Sequence, residues 1–343
     1  MYPYNDLKRL HLEISSNCQA KCPLCPRIVR GSVNPILPIR SWSFADYKTI
    51  LPPQVLNHLE YIFFCGNYGD PLMCTDFIDM ISYTVDINPE LGFGVHTNGG
   101  LRSKSWWKDL AKTLPSNHKV TFALDGLSDT HSLYRVGTDF DTVIDNAKTF
   151  IEAGGNAEWQ FIRFHHNQHQ VSEAKQMSED LGFMNFWVRD SKRWHDNKFP
   201  VYQDNEITHY LEPSDTAELQ IIDDTILENL DTILSKTSIE CQAQHRQEAF
   251  ISFEGTVLPC CYLAQLPYWK VDNYTKPVNK ILSDRIKDQY DDLLISLGTR
   301  QNLNSLEKSI ESIINSEQYQ GVWETYWNRK KLITCASTCG KQT

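Results

Sequence analysis

Three cysteines stand close together near the start of the chain, within residues 17–26. Cys18, Cys22 and Cys25 have the spacing C-x3-C-x2-C and follow an alternating apolar run, residues 10–14, that predicts a strand. They therefore lie on the loop that leaves the C-terminal end of a strand. Three thiolates on one short loop can bind an iron–sulfur cluster, and the lack of a fourth leaves one iron open to a non-protein ligand. A zinc site and unrelated thiols are the alternatives that the spacing leaves open.

This segment resembles the signature loop of the radical S-adenosylmethionine (radical SAM) superfamily. The resemblance implies that Cys18, Cys22 and Cys25 hold a [4Fe–4S] cluster whose open iron binds the amino and carboxylate groups of S-adenosylmethionine (SAM). One electron from the cluster then cleaves SAM to methionine and a 5′-deoxyadenosyl radical, which takes a hydrogen atom from the substrate. The resemblance also places Leu24 against the adenine of SAM.

Short apolar runs alternate with helical patterns from residue 7 to about residue 190. Six β–α units in a row predict a parallel sheet with right-handed crossovers, and six are too few for a closed eight-fold barrel. The resemblance implies an α/β fold with a partial (β/α)6 barrel, whose site residues gather at the C-terminal ends of the strands. The predicted strands are 10–15, 61–65, 93–97, 120–124, 159–164 and 186–189, and the predicted helices include 77–85, 105–110, 142–153 and 171–181.

The alternation ends after residue 189, and the composition becomes polar and mixed. Residues 191–240 are interpreted as a bridging segment with one helix, 225–234. Beyond it, residues 249–260 predict a hairpin that turns at Glu254-Gly255, and helical patterns follow at 280–297 and 306–314. The sequence therefore predicts a radical SAM partial barrel in 1–190, the bridging segment in 191–240 and a small α+β domain in 241–343.

A second group of cysteines lies in this last part of the chain. The pattern C-x13-G-x4-C followed by C-x3-C resembles the Twitch module, the half-size version of the SPASM domain, which holds one auxiliary [4Fe–4S] cluster. The resemblance implies the ligands Cys241, Cys260, Cys335 and Cys339. Four cysteines are also a common zinc site, so zinc stays open. Cys261 is adjacent to Cys260, and because successive residues of a strand point to opposite faces, only one of the two is expected to bind the cluster.

Further segments at strand ends resemble the SAM-binding motifs of the family. Residues 65–72 resemble the Gly-Gly-Glu-Pro segment that binds the SAM amino group, here through Gly69 and Asp70, with Tyr68 in place of the first glycine. Asn98 belongs to a Thr-Asn-Gly segment that lies near the SAM ribose in the family. An ordinary turn is the alternative for both segments.

The fourth predicted strand ends at Asp125, and a stretch that contains Arg135 follows it. In the family, this arginine pairs with the SAM carboxylate, a charge-assisted contact that suits a guanidinium. Asp125 is expected to bind SAM, orient the substrate or cap the next turn. Arg163, Asn167 and Arg189 are further candidates for substrate contact near the same ends of the strands. The three histidines of residues 165–169 are interpreted as a polar loop and not as a metal site.

The composition excludes several classes of protein. The chain of 343 residues has a net charge of -10, which argues against a nucleic-acid partner. It has neither an 18-residue apolar run nor a signal peptide, so we expect a cytoplasmic protein without a membrane span. Ten cysteines without an export signal indicate reduced thiols and metal binding, while Cys65 and Cys74 are interpreted as core thiols.

The resemblance thus predicts a radical SAM enzyme, oxidoreductase-like, that abstracts a substrate hydrogen for a net oxidation or crosslink. The auxiliary cluster accepts the electron left on the substrate, and a flavodoxin or ferredoxin supplies the first electron. A polar small molecule or short peptide is the expected substrate, because no peptide-recognition domain is visible before Leu10. A peptide- or protein-modifying enzyme like the maturases of ribosomal peptides, and a non-catalytic iron–sulfur carrier, are the alternatives.

Overall fold

A computed structural model describes residues 1–194, 196–217, 224–268 and 277–342. Within these residues the chain has a mixed α/β fold built on an eight-stranded sheet, in which every neighbouring pair is parallel except the pair at one edge. The strands are β1 (Arg9–Leu12), β2 (Tyr61–Phe64), β3 (Gly92–Thr97), β4 (His118–Ala123), β5 (Ala157–Arg163), β6 (Asn185–Asp190), β7 (Glu248–Ile251) and β8 (Val257–Leu258). Their order across the sheet is β8-β7-β1-β2-β3-β4-β5-β6.

The six parallel strands predicted from the sequence are present as β1 to β6, with bounds that shift by a few residues. They lie side by side in chain order because each connection contains a helix, as parallel neighbours require. The four predicted helices are also present. The connecting helices are α1 (Phe44–Ile50), α2 (Pro53–His58), α3 (Phe77–Ile87), α4 (Lys104–Thr113), α5 (His131–Tyr134), α6 (Phe140–Glu152) and α7 (Val171–Asp180).

The two faces of this sheet differ in character. Side chains at alternate positions, such as Leu12, Phe64 and Phe122, are completely buried in the main apolar core, which the helices also line. The positions between them form the opposite face, which we call the polar face. Because the strands are in register, its members form rows across the sheet. They include His11, Phe63, His96, Thr121, Gln160 and Arg189.

Helices α1 and α2 were not predicted. Helix α1 begins with a capping box, in which the Ser43 hydroxyl accepts from the Asp46 amide at 3.1 Å and the Asp46 carboxylate accepts from the Ser43 amide at 3.0 Å. This signal is present in the sequence, but the seven-residue helix is too short for a clear apolar periodicity.

The predicted hairpin of the last part of the chain is confirmed as β7 and β8, and Gly255 adopts a φ of 85° in its turn. The position of this hairpin in the main sheet was not predicted. Strand β7 pairs in parallel with β1, so that Arg9 lies opposite Glu248 and Leu12 opposite Ile251. The first strand therefore has one neighbour from each half of the chain, and a single sheet joins them. The three-part division of the chain stays a prediction.

The bridging segment contains a two-stranded antiparallel ribbon, Phe199–Gln203 with Glu206–Leu211, turned by Asp204 and Asn205 at positive φ. Residues 195 and 218–223 lie outside the described residues. The predicted helix at 225–234 is two helices, α8 (Asp224–Glu228) and α9 (Leu230–Lys236). The remaining helices are α10 (Gln242–Arg246), α11 (Cys261–Ala264), α12 (Pro277–Ser296), α13 (Ile310–Ile314), α14 (Glu317–Glu324) and α15 (Ile333–Cys339).

The chain also contains short two-stranded ribbons and single helical turns. Two more antiparallel ribbons are Ile28–Val29 with Ser32–Val33, and Thr237–Ile239 with the C-terminal Gly340–Gln342. A π-helical turn spans Thr325–Arg329, and the 3-10 turns are Tyr4–Asp6, Pro71–Met73, Gln168–Gln170, Leu266–Tyr268 and Arg300–Leu303. Across the described ranges, no helix combines the length and apolarity that a membrane span requires.

The shared sheet predicts that a core deletion in β7 destabilises the whole molecule. Ile251 and Ile62 are both fully buried on the apolar face, so changing either to alanine is expected to cost about 2–5 kcal/mol of unfolding free energy. The control Ile295→Ala, at a side chain that is 76% exposed, is expected to change it by less than about 0.5 kcal/mol. Urea unfolding followed by tryptophan fluorescence measures the free energy of unfolding of all three variants. A separate early transition in Ile251→Ala alone would contradict a shared sheet.

Candidate functional site

The three N-terminal cysteines lie on the loop beyond β1, at the C-terminal edge of the sheet. All three are free thiols, with Cys22 buried and the other two partly exposed. The buried Arg27 shapes this loop, because its guanidinium donates to the carbonyl oxygens of Ser16 at 3.3 Å and Ala20 at 3.4 Å. Sequence reasoning missed Arg27. The loop packs on an apolar cluster that contains Leu24, Tyr134, Phe164 and Trp194.

The thiols of this loop are close enough to influence each other's ionisation. Burial raises the pKa of the Cys18 thiol, and the charges of Asp70, Cys22 and Cys25 raise it further. Burial also raises the pKa of the Cys22 thiol, whereas the guanidinium of Arg135 lowers it. A metal that binds here must displace the proton from each buried thiol, so metal binding releases protons.

No three His, Cys, Asp or Glu side chains within the described ranges are arranged to hold a single metal ion. The ligands of a cluster bind different irons and need not converge on one point. Three unpaired thiols on one loop fit such a cluster. Polar groups of the surrounding loops also reach them. Asn98 Nδ2 lies 3.5 Å from Cys18 Sγ, the Asn67 carbonyl oxygen 3.9 Å from Cys25 Sγ, and Arg135 Nη1 3.7 Å from Cys22 Sγ.

Asp70 is buried beside the cysteine loop and joins two strand ends. Its carboxylate accepts from the Leu72 amide and the Thr97 hydroxyl, each at 3.0 Å. It also accepts from the backbone and side-chain amides of Asn98, each at 2.8 Å. Burial raises the pKa of Asp70, and these hydrogen bonds oppose that rise. Asp70 therefore holds the loop after β2 against the end of β3.

Gly69 is required by a close approach of backbone to backbone. A Cβ atom at this position would lie 1.9 Å from the carbonyl oxygen of Ser15. The next amide, of Asp70, donates to the carbonyl of Asn17 at 2.8 Å, which ties this loop to the cysteine loop. Only glycine permits this approach. The predicted residues Gly69, Asp70 and Asn98 are thus brought together with Cys18.

Arg135 forms a buried ion pair with Asp125. Its Nε lies 2.5 Å from Asp125 Oδ2, and the other carboxylate oxygen accepts from the Ile162 amide. Burial raises the pKa of Asp125, and the adjacent guanidinium opposes this. The same guanidinium reaches Cys22, so it links β4 to the cysteine loop. The expected contact of Arg135 with a SAM carboxylate stays a prediction.

The other residues predicted to contact the substrate differ in burial and in their hydrogen-bond and ion-pair partners. Asn167 is buried and closes a turn after β5, where it accepts from the Phe164 amide at 2.7 Å and donates to the Ile162 carbonyl at 3.1 Å. Arg163 forms a two-point ion pair with Asp190, at 3.0 and 2.7 Å. The exposed Arg189 remains on the polar face without a salt bridge to any residue in the described ranges.

The C-terminal cysteines share one apolar cavity. Cys241, Cys260, Cys335 and Cys339 all line it, together with Tyr262 and Trp327. Cys335 and Cys339 are four residues apart on α15 and so lie on the same face of that helix. Burial raises the pKa of the Cys241, Cys260 and Cys335 thiols. Three separate segments of the chain thus bring the four predicted ligands to one cavity.

Cys261 does not line that cavity. Burial and, to a lesser extent, the charges of Cys65, Glu248 and Glu13 raise the pKa of its thiol to about 12. The interpretation of Cys65 as a core thiol is wrong, because it is partly exposed and lies outside the apolar core clusters. Cys74 is a core thiol as predicted, fully buried, and donates to the Trp42 carbonyl at 3.2 Å.

Sequence reasoning also missed the polar face. His11 and His96 flank Phe63, with both ring centroids 4.8 Å from its own. Burial lowers the pKa of each histidine to about 4, so both imidazoles are neutral near pH 7. The alternation in residues 10–14 was the available signal, since it places His11 and Glu13 on the face opposite Leu10 and Leu12.

No protein-family model matches the chain, and no curated protein matches it. Solved structures share its fold at low sequence identity. Streptococcus suis SuiB bound to precursor peptide SuiA has a TM-score of 0.57 and 16% identity, over 93% of this chain and 68% of that one. Native anSMEcpe with bound AdoMet, which is SAM, has a TM-score of 0.52 and 14% identity, over 92% and 82%. The anSMEcpe complex with AdoMet and Cp18Cys peptide has a TM-score of 0.51 and 14% identity, over 96% and 88%. At sequence identities this low, the structural similarity shows a shared fold and does not by itself show a shared function.

The buried ion pair predicts a large cost for removing only its cation. Arg135→Met leaves the Asp125 carboxylate buried and unpaired, and is expected to cost about 3–5 kcal/mol of unfolding free energy. The double variant Asp125→Asn/Arg135→Met is expected to recover at least about half of that. Arg163→Met, at a partly exposed pair, is the control, with an expected cost below about 1 kcal/mol. Urea unfolding measures all three, and a double variant as unstable as Arg135→Met would contradict the electrostatic explanation.

Proposed function

We propose that the chain is a radical SAM enzyme that reductively cleaves S-adenosylmethionine and abstracts a hydrogen atom from its substrate. One observation carries this proposal. Three free thiols of one loop, at the C-terminal edge of a mostly parallel sheet, are surrounded by a backbone carbonyl, a carboxamide and a guanidinium. These are the groups that recognise an amino acid with a free ammonium and carboxylate. The sequence motif and the AdoMet complex of anSMEcpe, which shares the fold, support the proposal.

Cys18, Cys22 and Cys25 would hold the [4Fe–4S] cluster. When bound, this group supplies the electron that cleaves SAM to methionine and the 5′-deoxyadenosyl radical. Arg135 offers its remaining N–H groups to the SAM carboxylate while Asp125 fixes its orientation. The carbonyl oxygens around Gly69 accept from the ammonium, and Leu24 adds apolar surface for the adenine. Asp70 and Asn98 keep the three loops together around the bound molecule.

Cys241, Cys260, Cys335 and Cys339 would hold a second metal centre. We propose an auxiliary [4Fe–4S] cluster that accepts an electron from the substrate radical, which suits a net oxidation or crosslink. Four thiols that line one apolar cavity support this assignment, and zinc is the alternative that fits the same ligands. A Twitch-like domain over residues 241–343 and the partial barrel over residues 1–190 belong to this proposal.

The substrate of the proposed reaction is a polar small molecule or a short peptide on the polar face, in a cytoplasmic enzyme supplied by a flavodoxin or ferredoxin. Arg189 would contact an anionic group of this substrate, because its charge is unpaired within the described residues. A peptide-modifying enzyme is the second candidate, and the SuiB structure with the precursor peptide SuiA favours it. A non-catalytic carrier gains no support, since it needs none of the polar groups around the thiols.

The first prediction of this proposal concerns SAM cleavage. The reduced protein, reconstituted with iron and sulfide without oxygen, is expected to release 5′-deoxyadenosine from SAM. The triple change of Cys18, Cys22 and Cys25 to alanine is expected to abolish it, because the cluster loses every ligand. Cys74→Ala removes a buried thiol outside both groups of cysteines and is the matched control. Cleavage that survives in the triple variant, measured by liquid chromatography, would refute the assignment.

The second prediction concerns the metal of the C-terminal cavity. The reconstituted wild-type chain is expected to contain about eight irons, and Cys335→Ala/Cys339→Ala about four, as one cluster is lost. SAM cleavage is expected to continue in this variant, while substrate conversion fails. Cys261→Ala is the control and is expected to keep its iron, because Cys261 lies outside the cavity. Analysis of iron, sulfide and zinc content distinguishes a second cluster from a zinc ion. About four irons with stoichiometric zinc in the wild type would make this centre a zinc site.

A further inference from the structure

Glu13 is a buried carboxyl group that the proposed chemistry leaves without a role. It follows β1 on the polar face, and only 1% of its surface is exposed. Its Oε1 accepts from the Tyr68 amide at 2.7 Å, and the backbone amides of Asn67 and Gly69 lie near enough to favour its charged form. Its Oε2 is buried and has no hydrogen-bond partner within the described residues. Burial raises the pKa of Glu13 to about 8, and the three amides oppose this rise.

The geometry of the peptide bond connects Glu13 to the cysteine loop. The N–H and C=O groups of a planar trans peptide point in opposite directions. The Tyr68 amide and the Asn67 carbonyl belong to one peptide group. Its N–H points to Glu13, and its oxygen lies 3.9 Å from Cys25 Sγ on the other side.

The close packing of this loop restricts its alternatives. A Cβ atom at Gly66 would lie 2.4 Å from the Gly69 carbonyl oxygen and 3.0 Å from Glu13 Oε1. Gly69 is similarly confined by the Ser15 carbonyl. The loop therefore wraps the carboxylate closely. Without that carboxyl group, the Tyr68 amide would be buried without an acceptor, and its peptide group would rotate toward another partner.

We infer that Glu13 is a positioning residue, which holds the carbonyl oxygen of Asn67 toward the cysteine loop so that it accepts from the ammonium group of SAM. This inference rests on the proposed function. The carboxylate does not touch SAM in this arrangement. The hydrogen bond to its carboxyl oxygen fixes the peptide group of Asn67 and Tyr68 and polarises it, so the Asn67 carbonyl becomes a better acceptor for a cation. The residue is thus assigned to recognition of the SAM amino group and not to the hydrogen abstraction.

The test compares SAM with its analogue that lacks the α-amino group, using the reconstituted full chain. Glu13→Ala is expected to weaken SAM binding by at least about tenfold, which corresponds to about 1.4 kcal/mol. Glu13→Gln keeps one acceptor and is expected to weaken it by about three- to fivefold. Affinity for the deamino analogue is expected to change by less than about twofold in both variants, because that ligand does not use the Asn67 carbonyl. Equilibrium dialysis measures the affinities of the wild type and of both variants for each ligand.

Glu158→Gln is the matched control. Glu158 is also a buried carboxyl on the polar face, but it lies at the opposite end of the strands and binds Lys119, Thr121 and Asn185. Hydrogen exchange of the metal-free protein provides a readout that does not depend on SAM. The amide of Tyr68 is expected to exchange faster in Glu13→Ala and to remain protected in Glu158→Gln.

The outcomes are distinguishable. Faster exchange with an unchanged SAM affinity, or an equal loss for SAM and its deamino analogue, would overturn the inference while SAM cleavage by the wild type still supports the proposed function. A wild-type protein that binds no SAM would overturn the proposed function and this inference with it. A loss of affinity for SAM but not for its deamino analogue, together with faster amide exchange, supports the assignment of Glu13.

Discussion

The hydrogen bonds of one buried carboxylate organise the candidate site. Asp70 accepts from the loop after β2 and from the end of β3, and the Asn98 side chain then reaches the Cys18 sulfur. Parallel strands deliver these loops to the same edge of the sheet, but their backbone groups still need partners there. Because Asp70 is fully enclosed, its loss would leave several buried donors unsatisfied at once. The three loops are therefore positioned as a unit.

The two groups of thiols are connected through the loop of residues 66–69. The carbonyl of Asn67 lies against Cys25, and the Asn67 side chain donates to the Cys261 carbonyl at 2.8 Å. Cys261 adjoins Cys260, which lines the C-terminal cavity. The pairing of β7 with β1 creates this proximity, since it brings the hairpin next to the strand that precedes the cysteine loop. One loop thus contacts both the N-terminal cysteine loop and the residue next to Cys260.

Local patterns in the sequence were sufficient for much of the fold. Short apolar runs predicted β1 to β6 in order, and helical patterns predicted the helices between them, because burial against one core requires apolar residues in both. The Glu254-Gly255 turn predicted the hairpin, since a positive φ favours glycine. The spacing of Cys18, Cys22 and Cys25 indicated a site on the loop after β1. Helix α1 was missed, as seven residues carry too little periodicity.

Contacts between distant segments were beyond the reach of local patterns. The position of β7 beside β1 and the ion pair of Arg135 with Asp125 both depend on packing. The meeting of Cys241, Cys260, Cys335 and Cys339 around one cavity was expected only from the family resemblance. Cys65 and Cys74 illustrate the limit: both are cysteines near the second strand, but one lies outside the apolar core and the other is buried in it. The sequence by itself determined which residues can do chemistry. Only the tertiary structure decided which of them meet, because hydrogen bonds and burial between remote segments leave no periodic trace in the chain.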